Sequence, residues 1–251
     1  MANPINVGDV RQSKNYGQFI VLEKLPGKKS KVRFITTGYE AILYNCQIRT
    51  NEVKDLLLPS VYSVGYYGTG YTEQFDKTTV QSIWQVWRDM IKRCYDQKTQ
   101  EYRPSYTGCS VDPRWHNFQN FAKFYIEHPH REVGWQLDKD LLLKGNKLYS
   151  PETCVFLPRE LNGIIIRNSS IRGLHPIGVS YSKSNSKFRA ACQDGCGGNE
   201  FLGYFTTPLE AFLCYKLFKE ATIKSQAMKW KNLISPAAFK ALMEYEVSIE
   251  D

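Results

Sequence analysis

One interval of the chain carries side chains whose types and spacing could do metal chemistry: Asp138, Lys139 and Asp140, with an amide following at Asn162. Leu137 and Leu141 to Leu143 flank the charged cluster, as in a buried strand that delivers polar side chains to its open end. Lys144 to Lys147 and Tyr149 to Glu152 hold turn-forming residues, and Cys154 to Leu157 form a short apolar strand. Pro158 suits the first position of a helix, where its missing N–H is not needed, so Pro158 to Asn162 open one. Strand, turn, strand and helix in that order set Asp138 facing Asn162. Two oxygen ligands on a small frame, with water and phosphate oxygens in the other positions, suit Mg²⁺ or Mn²⁺. The bland alternative is a solvated strand end.

The stretch WQLDKDLLLKGNKLYSPETCVFLPRELN (135–162) resembles the ββα-metal finger of HNH endonucleases, in the form found in bacteriophage homing endonucleases. Trp87, Met90, Arg93, Cys94, Tyr95, Trp115, Phe118 and Phe121 extend the resemblance over most of residues 80 to 162. It implies a DNA endonuclease: Asp138 and Asn162 as metal ligands, Mg²⁺ (or Mn²⁺) as cofactor, and hydrolysis of a phosphodiester in double-stranded DNA. A single finger has one active site, which favours nicking. The family has a general-base histidine after the ligand aspartate, and this chain has Lys139. Three readings follow. Lys139 is the base with a depressed pKa, His128 or His130 reaches in from the preceding loop, or the finger binds DNA without cutting it. Arg159, beside the finger helix, is suited to clamp the scissile phosphate.

Composition agrees with a folded protein that meets a polyanion. Of 251 residues 42% are hydrophobic and 14% aromatic, enough for a core, and the formal charge is +8. The N-terminus MANPINVGDVRQ has no apolar signal core, and the seven cysteines form no disulfide framework. A reducing compartment is expected, which on the phage resemblance is the cytoplasm of the bacterial host. The chain has no apolar run long enough for a membrane span. Cys192 and Cys196 lack a second pair to complete a zinc site, no small-molecule cofactor is expected, and a monomer is favoured.

The elements around the finger give an α+β, modular chain: an N-terminal β module and linker (1–75), a helix-supported ββα-metal nuclease domain (76–168) and a C-terminal DNA-binding domain (169–251). Strands are expected at Phe19–Leu25, Val32–Thr36 and Ala41–Ile48, with Lys24, Lys28, Lys29, Lys31 and Arg33 on an edge that suits either a phosphate backbone or a solvated hairpin, the solvated face being favoured. The Gly- and Tyr-rich run after Asp55 reads as a linker or cover. Ile83, Trp87, Met90, Ile91 and Cys94 follow helical spacing from Val80, and a second helix covers Arg114 to Ile126 after the start signal Asp112-Pro113. Because a finger of under thirty residues buries too little surface to stand alone, these two helices are its expected support.

Between Glu160 and Asp194 no acidic residue occurs, while Arg167, Arg172, Lys183, Lys187 and Arg189 do, as suits a segment laid on phosphates. Ile177–Lys183, Lys187–Gln193 and Glu200–Phe205 read as strands, Pro208 to about Ser225 as a helix and 230 to 247 as a last helix. Alternation points Val179, Tyr181, Phe188, Ala190, Cys192 and Leu202 inward and Ser180, Ser182, Arg189 and Gln193 outward. IGVSYSKSNSKFRAACQDG followed by EFLGYFTTPLEAFLCYKLFKEA is similar to an AP2 domain. That resemblance implies an outward face in the major groove, with Arg189 and Gln193 on base edges, Lys183 and Lys187 on phosphates, and Ser182 beside them.

Overall fold

A computed structural model describes residues 4–165, 174–195 and 197–251; Arg167 and Arg172 lie outside the described residues. The architecture is α+β, built from several small sheets and helices. The chain divides into two units between Glu127 and His128, inside the span expected for one nuclease domain.

In the first unit β1 (Val10–Gln12), β2 (Gln18–Leu25), β3 (Lys29–Phe34) and β4 (Glu40–Tyr44) form an antiparallel sheet in chain order. The strand expected to reach Ile48 stops at Tyr44. The Gln47 side chain accepts the Tyr44 N–H at 3.0 Å, which starts α1 (Asn45–Thr50) and turns Ile48 into the core with Phe19, Val21, Val32 and Phe34. Lys31 and Arg33 both pair with Glu40, as on a solvated face. α2 (Lys77–Tyr95) begins before Val80 because Asp76 accepts the N–H groups of Thr78 and Thr79. α3 (Gln97–Tyr102) and β5 (Ser110–Val111) follow. The helix expected from Arg114 is a 3₁₀ turn, Pro113–His116, and then α4 (Phe118–Glu127). The break falls where the Tyr66 N–H donates to the His116 carbonyl and the Phe118 N–H donates to the Tyr66 carbonyl, each at 2.9 Å. The Gly- and Tyr-rich run is thus a cover, with the Tyr67 ring against Trp84 and Phe118.

The second unit holds β6 (Gln136–Asp138), β7 (Leu148–Tyr149), β8 (Val155–Leu157) and α5 (Arg159–Ile165). β6, β8 and α5 are the expected strand, strand and helix, but β6 stops at Asp138 where that carboxylate caps a turn, short of Leu141 to Leu143, and β7 is an added short strand among the expected turns. β6 pairs antiparallel with β8, Asp138 opposite Val155 and Leu137 opposite Phe156. β9 (Val179–Ser182), β10 (Lys187–Gln193) and β11 (Asn199–Phe205) form a sheet in the order β11-β10-β9, followed by α6 (Pro208–Trp230) and α7 (Pro236–Met243). The front of α6 buries Phe212 and Tyr215 with Cys192 of the sheet. At Gly178 a methyl group would collide with the Tyr215 ring, so glycine sets how closely β9 approaches the helix.

α6 runs past Ser225 because its second half has its own apolar contacts. Ile223 and Ala227 join Val155, Leu157, Leu161 and Ile164 of the finger, with Ile234, Ala238 and Leu242 around α7. Each large apolar side chain buried this way contributes about 1.5–3 kcal/mol. Within this unit the finger packs on α6 and α7, and the finger and the C-terminal sheet share one helix as backing.

Candidate metal-binding and nucleic-acid-binding sites

Asp138 ends β6 and caps the turn that follows: its Oδ1 accepts the N–H groups of Asp140 at 3.1 Å and Leu141 at 2.7 Å. Burial, and after it the charge of Asp140, raise its carboxyl to about 6 despite those two hydrogen bonds. Asn162 lies one helical turn past Pro158, whose carbonyl accepts its backbone N–H at 2.9 Å. Its Nδ2 donates to Gln136 Oε1 at 2.7 Å, while its Oδ1 is buried with no hydrogen-bond partner. Gln136 precedes Asp138 by two residues and so shares its strand face. The structure therefore sets an ionisable carboxylate and an orphaned amide oxygen on the side of the ribbon that meets α5. Gln136 is the residue that sequence reasoning missed; its signal is the period of two ahead of Asp138.

That donor set fits a hard divalent cation. A buried oxygen without a partner costs free energy that coordination would recover, and a carboxylate short of positive neighbours favours an added cation. Among the described residues no group of three or more His, Cys, Asp or Glu side chains converges, so a cation held by Asp138 and Asn162 would take its other ligands from solvent or substrate oxygens. Cys154 is an unsuitable ligand: burial, with the Asp138 charge adding to it, pushes its thiol up to about 12.

Lys139 points the other way. Its buried Nζ donates to Asp140 Oδ2 and to the Asn146 carbonyl, both at 3.0 Å, and lies 5.8 Å above the Tyr149 ring. Asn146 completes the stitch by donating to the Lys139 and Leu148 carbonyls. Each of these contacts uses the ammonium as donor or cation, so Lys139 ties the loop between β6 and β7. His128 packs edge-on against Phe156 at 4.9 Å, and Phe156 stands opposite Leu137 on the ribbon face away from Gln136 and Asp138. Burial lowers the His128 pKa, and its Nδ1 accepts the His130 N–H at 3.2 Å. His130 Nδ1 lies 3.3 Å from the Leu233 carbonyl, a contact that requires the proton on Nδ1. Arg159 is exposed at the start of α5.

On the C-terminal sheet Ser180 and Ser182 stand opposite Arg189 and Lys187, and Arg189 and Gln193 stand opposite Tyr204 and Asn199. Lys183, Lys187, Arg189 and Gln193 are exposed, and Ser182 is half-buried. Tyr181 lies on the helix-facing side opposite Phe188, yet it is 47% exposed at the sheet edge. No described helix is long and apolar enough to cross a membrane. No family model, curated protein or solved structure matches this chain.

Proposed function

We propose that the chain is a metal-dependent DNA endonuclease that nicks double-stranded DNA, with Asp138 and Asn162 as the ligands of Mg²⁺ or Mn²⁺. The observation that carries this reading is the orphaned Asn162 Oδ1 on the same side of the ribbon as a carboxylate raised to about 6. A bound divalent ion supplies positive charge to the phosphate and leaving oxygen during in-line hydrolysis. Gln136 fixes the Asn162 amide so that its oxygen stays available. Asp138 presents a carboxylate whose charge is not neutralised within the fold. Arg159 holds the scissile phosphate from the start of α5, and the basic sheet residues Lys183, Lys187 and Arg189 hold the flanking backbone. As the base we assign His130, which would turn in from the loop ahead of β6; at rest its Nδ1 lies beside the Leu233 carbonyl.

The Lys139 tie favours one rival reading, in which the finger docks on DNA without cutting, since the position after the ligand aspartate is given to loop structure. A nicking assay on supercoiled plasmid in Mg²⁺, Mn²⁺ or EDTA separates the two. Wild type should nick in metal and stop in EDTA, Asn162→Ala should lose about a hundredfold or more in rate with DNA binding near wild type, and His130→Ala should lose a comparable amount. Lys139→Ala should retain nicking within a few-fold once corrected for folded protein. If wild type binds DNA but is inert in every metal, the docking reading replaces the nuclease, and nicking that persists in EDTA sinks the metal assignment.

A further inference from the structure

The outward face of the C-terminal sheet carries two large aromatic rings that strand alternation alone would separate. Phe201 and Tyr204 are three residues apart, and a period of two puts them on opposite faces. The β10–β11 register slips between Ala190, opposite Gly203, and Ala191, opposite Phe201, so Leu202 is the extra residue of a β-bulge. Gly203 adopts the φ of +131° that the bulge needs. Beyond the slip, Phe201 opposite Ala191 and Tyr204 opposite Arg189 lie on one face, while Leu202 turns into the helix-facing cluster.

The two rings meet edge to face at 5.0 Å, and the Arg189 guanidinium lies over Phe201 at 5.6 Å. Phe201 is 48% exposed and Tyr204 43%. Lys187 and Gln193 flank them in the same ladder, and Glu200, opposite the buried Cys192, belongs to the other face. An exposed aromatic pair with a stacked arginine, whose described ladder neighbours on that face are cationic or uncharged, matches a strand that presents phosphates and bare base faces together. An intact duplex presents base edges to a sheet and keeps its base faces stacked inside.

We propose that this face is a stacking platform for unpaired bases of single-stranded DNA, with bases on Phe201 and Tyr204 and phosphates on Arg189 and Lys187. The proposal rests on the DNA reading above and sharpens its substrate to DNA with an unpaired stretch beside the duplex. The bulge is what builds the platform, and the arginine both stacks on the ring and neutralises the backbone.

The test is a binding titration of the full chain with a labelled single-stranded DNA oligonucleotide, its duplex and the RNA of the same sequence, for wild type, Phe201→Ala/Tyr204→Ala and Phe201→Trp. The double variant removes only exposed rings and should melt as wild type does. It should lose about tenfold to a hundredfold in affinity for the single strand, with the salt slope unchanged and duplex binding altered by less than about threefold. Phe201→Trp should restore wild-type affinity, with indole fluorescence quenched on addition of the single strand. Wild type that binds duplex but not the single strand overturns the platform and spares the DNA reading, as does a double variant with undiminished single-strand affinity. A preference for the RNA oligonucleotide overturns the choice of occupant, and binding to none of the three sinks the DNA reading and the platform together.

Discussion

Asp112 and Asp138 each end an extended segment by accepting backbone N–H groups from the turn that follows, yet they finish in opposite electrostatic states. Asp112 Oδ1 accepts the Arg114 N–H at 2.9 Å, and the Arg114 guanidinium then closes on both carboxylate oxygens at 2.8 Å. That arginine holds the Asp112 carboxyl down to about 2. Asp138 has the same kind of backbone acceptor role, but its neighbouring cation, Lys139, lies past the end of β6 and is bonded to Asp140 and the Asn146 carbonyl. Burial then dominates and the carboxyl rises to about 6. The turn chemistry is shared; what differs is whether the nearby cation can reach. A carboxylate whose fold supplies its counter-charge is structural, and one whose fold directs that charge elsewhere is a candidate for a ligand.

The largest expected effect comes from taking the charge off Asp138. Its folded pKa lies above the unfolded value of about 3.9, so the protonated form favours folding: there is no penalty below about pH 4, it grows through about pH 6, and it is complete above. Asp138→Asn should therefore stabilise the metal-free protein by about 2–3 kcal/mol near pH 8 and hardly at all near pH 4. Wild type should melt higher in Mn²⁺, and the same variant should lose that rise. Thermal melts across pH 4 to 8, with and without Mn²⁺, check both. A variant less stable than wild type at pH 8 would show that Asp138 is a structural cap like Asp112.

Much of this comparison is legible in sequence, for reasons of local geometry. Pro158 announces the finger helix and two turn-rich clusters bound the strands, whereas the tie of Lys139 to Asp140 and Asn146 is set by the loop after Asp138 and no alternation predicts it. The Gln136–Asn162 hydrogen bond depends on the β6–β8 register and on the rotation of α5, which no local pattern encodes. The N-cap at Asp112 is a local signal and is found where Asp-Pro predicts it, whereas the break at Asn117 needs Tyr66, far away in the chain. The Phe201–Tyr204 pair is hidden for a similar reason: a single slip in the ladder inverts the face of every residue beyond it. The second half of α6 reads as an ordinary helix end until its partner, the finger, is known.

A smaller effect sharpens the comparison on the ligand side. Gln136 is exposed and accepts a hydrogen bond from Asn162 Nδ2, so Gln136→Ala should leave the fold intact while freeing the amide to rotate. Loss of such an orienting partner costs about tenfold in metal affinity. Calorimetric titration of Mn²⁺ into the two proteins reads this directly. Unchanged affinity would mean that the Asn162 oxygen is not held for a cation.

The smallest effect tests the other side, at Asp112. Asn in its place keeps an oxygen for the Arg114 N–H and loses only the charge facing a guanidinium that is 55% exposed. Solvent screening of so open a pair limits the loss to about 1 kcal/mol at pH 7. Because the folded pKa here lies below the unfolded one, this stabilisation is present above about pH 4 and is lost as the pH falls to about 2, the reverse of the trend at Asp138. Asp112→Asn and wild type should therefore converge in denaturant stability in strong acid, and high salt at pH 7 should bring them closer as well. Nicking should be unchanged, since Arg114 already satisfies Asp112 and leaves no charge for a ligand. If Asp112→Asn and Asp138→Asn instead gave stability changes of the same sign at pH 8, the direction of the neighbouring cation would not be what sets the two carboxylates apart, and the case for Asp138 as a ligand would lose its electrostatic half.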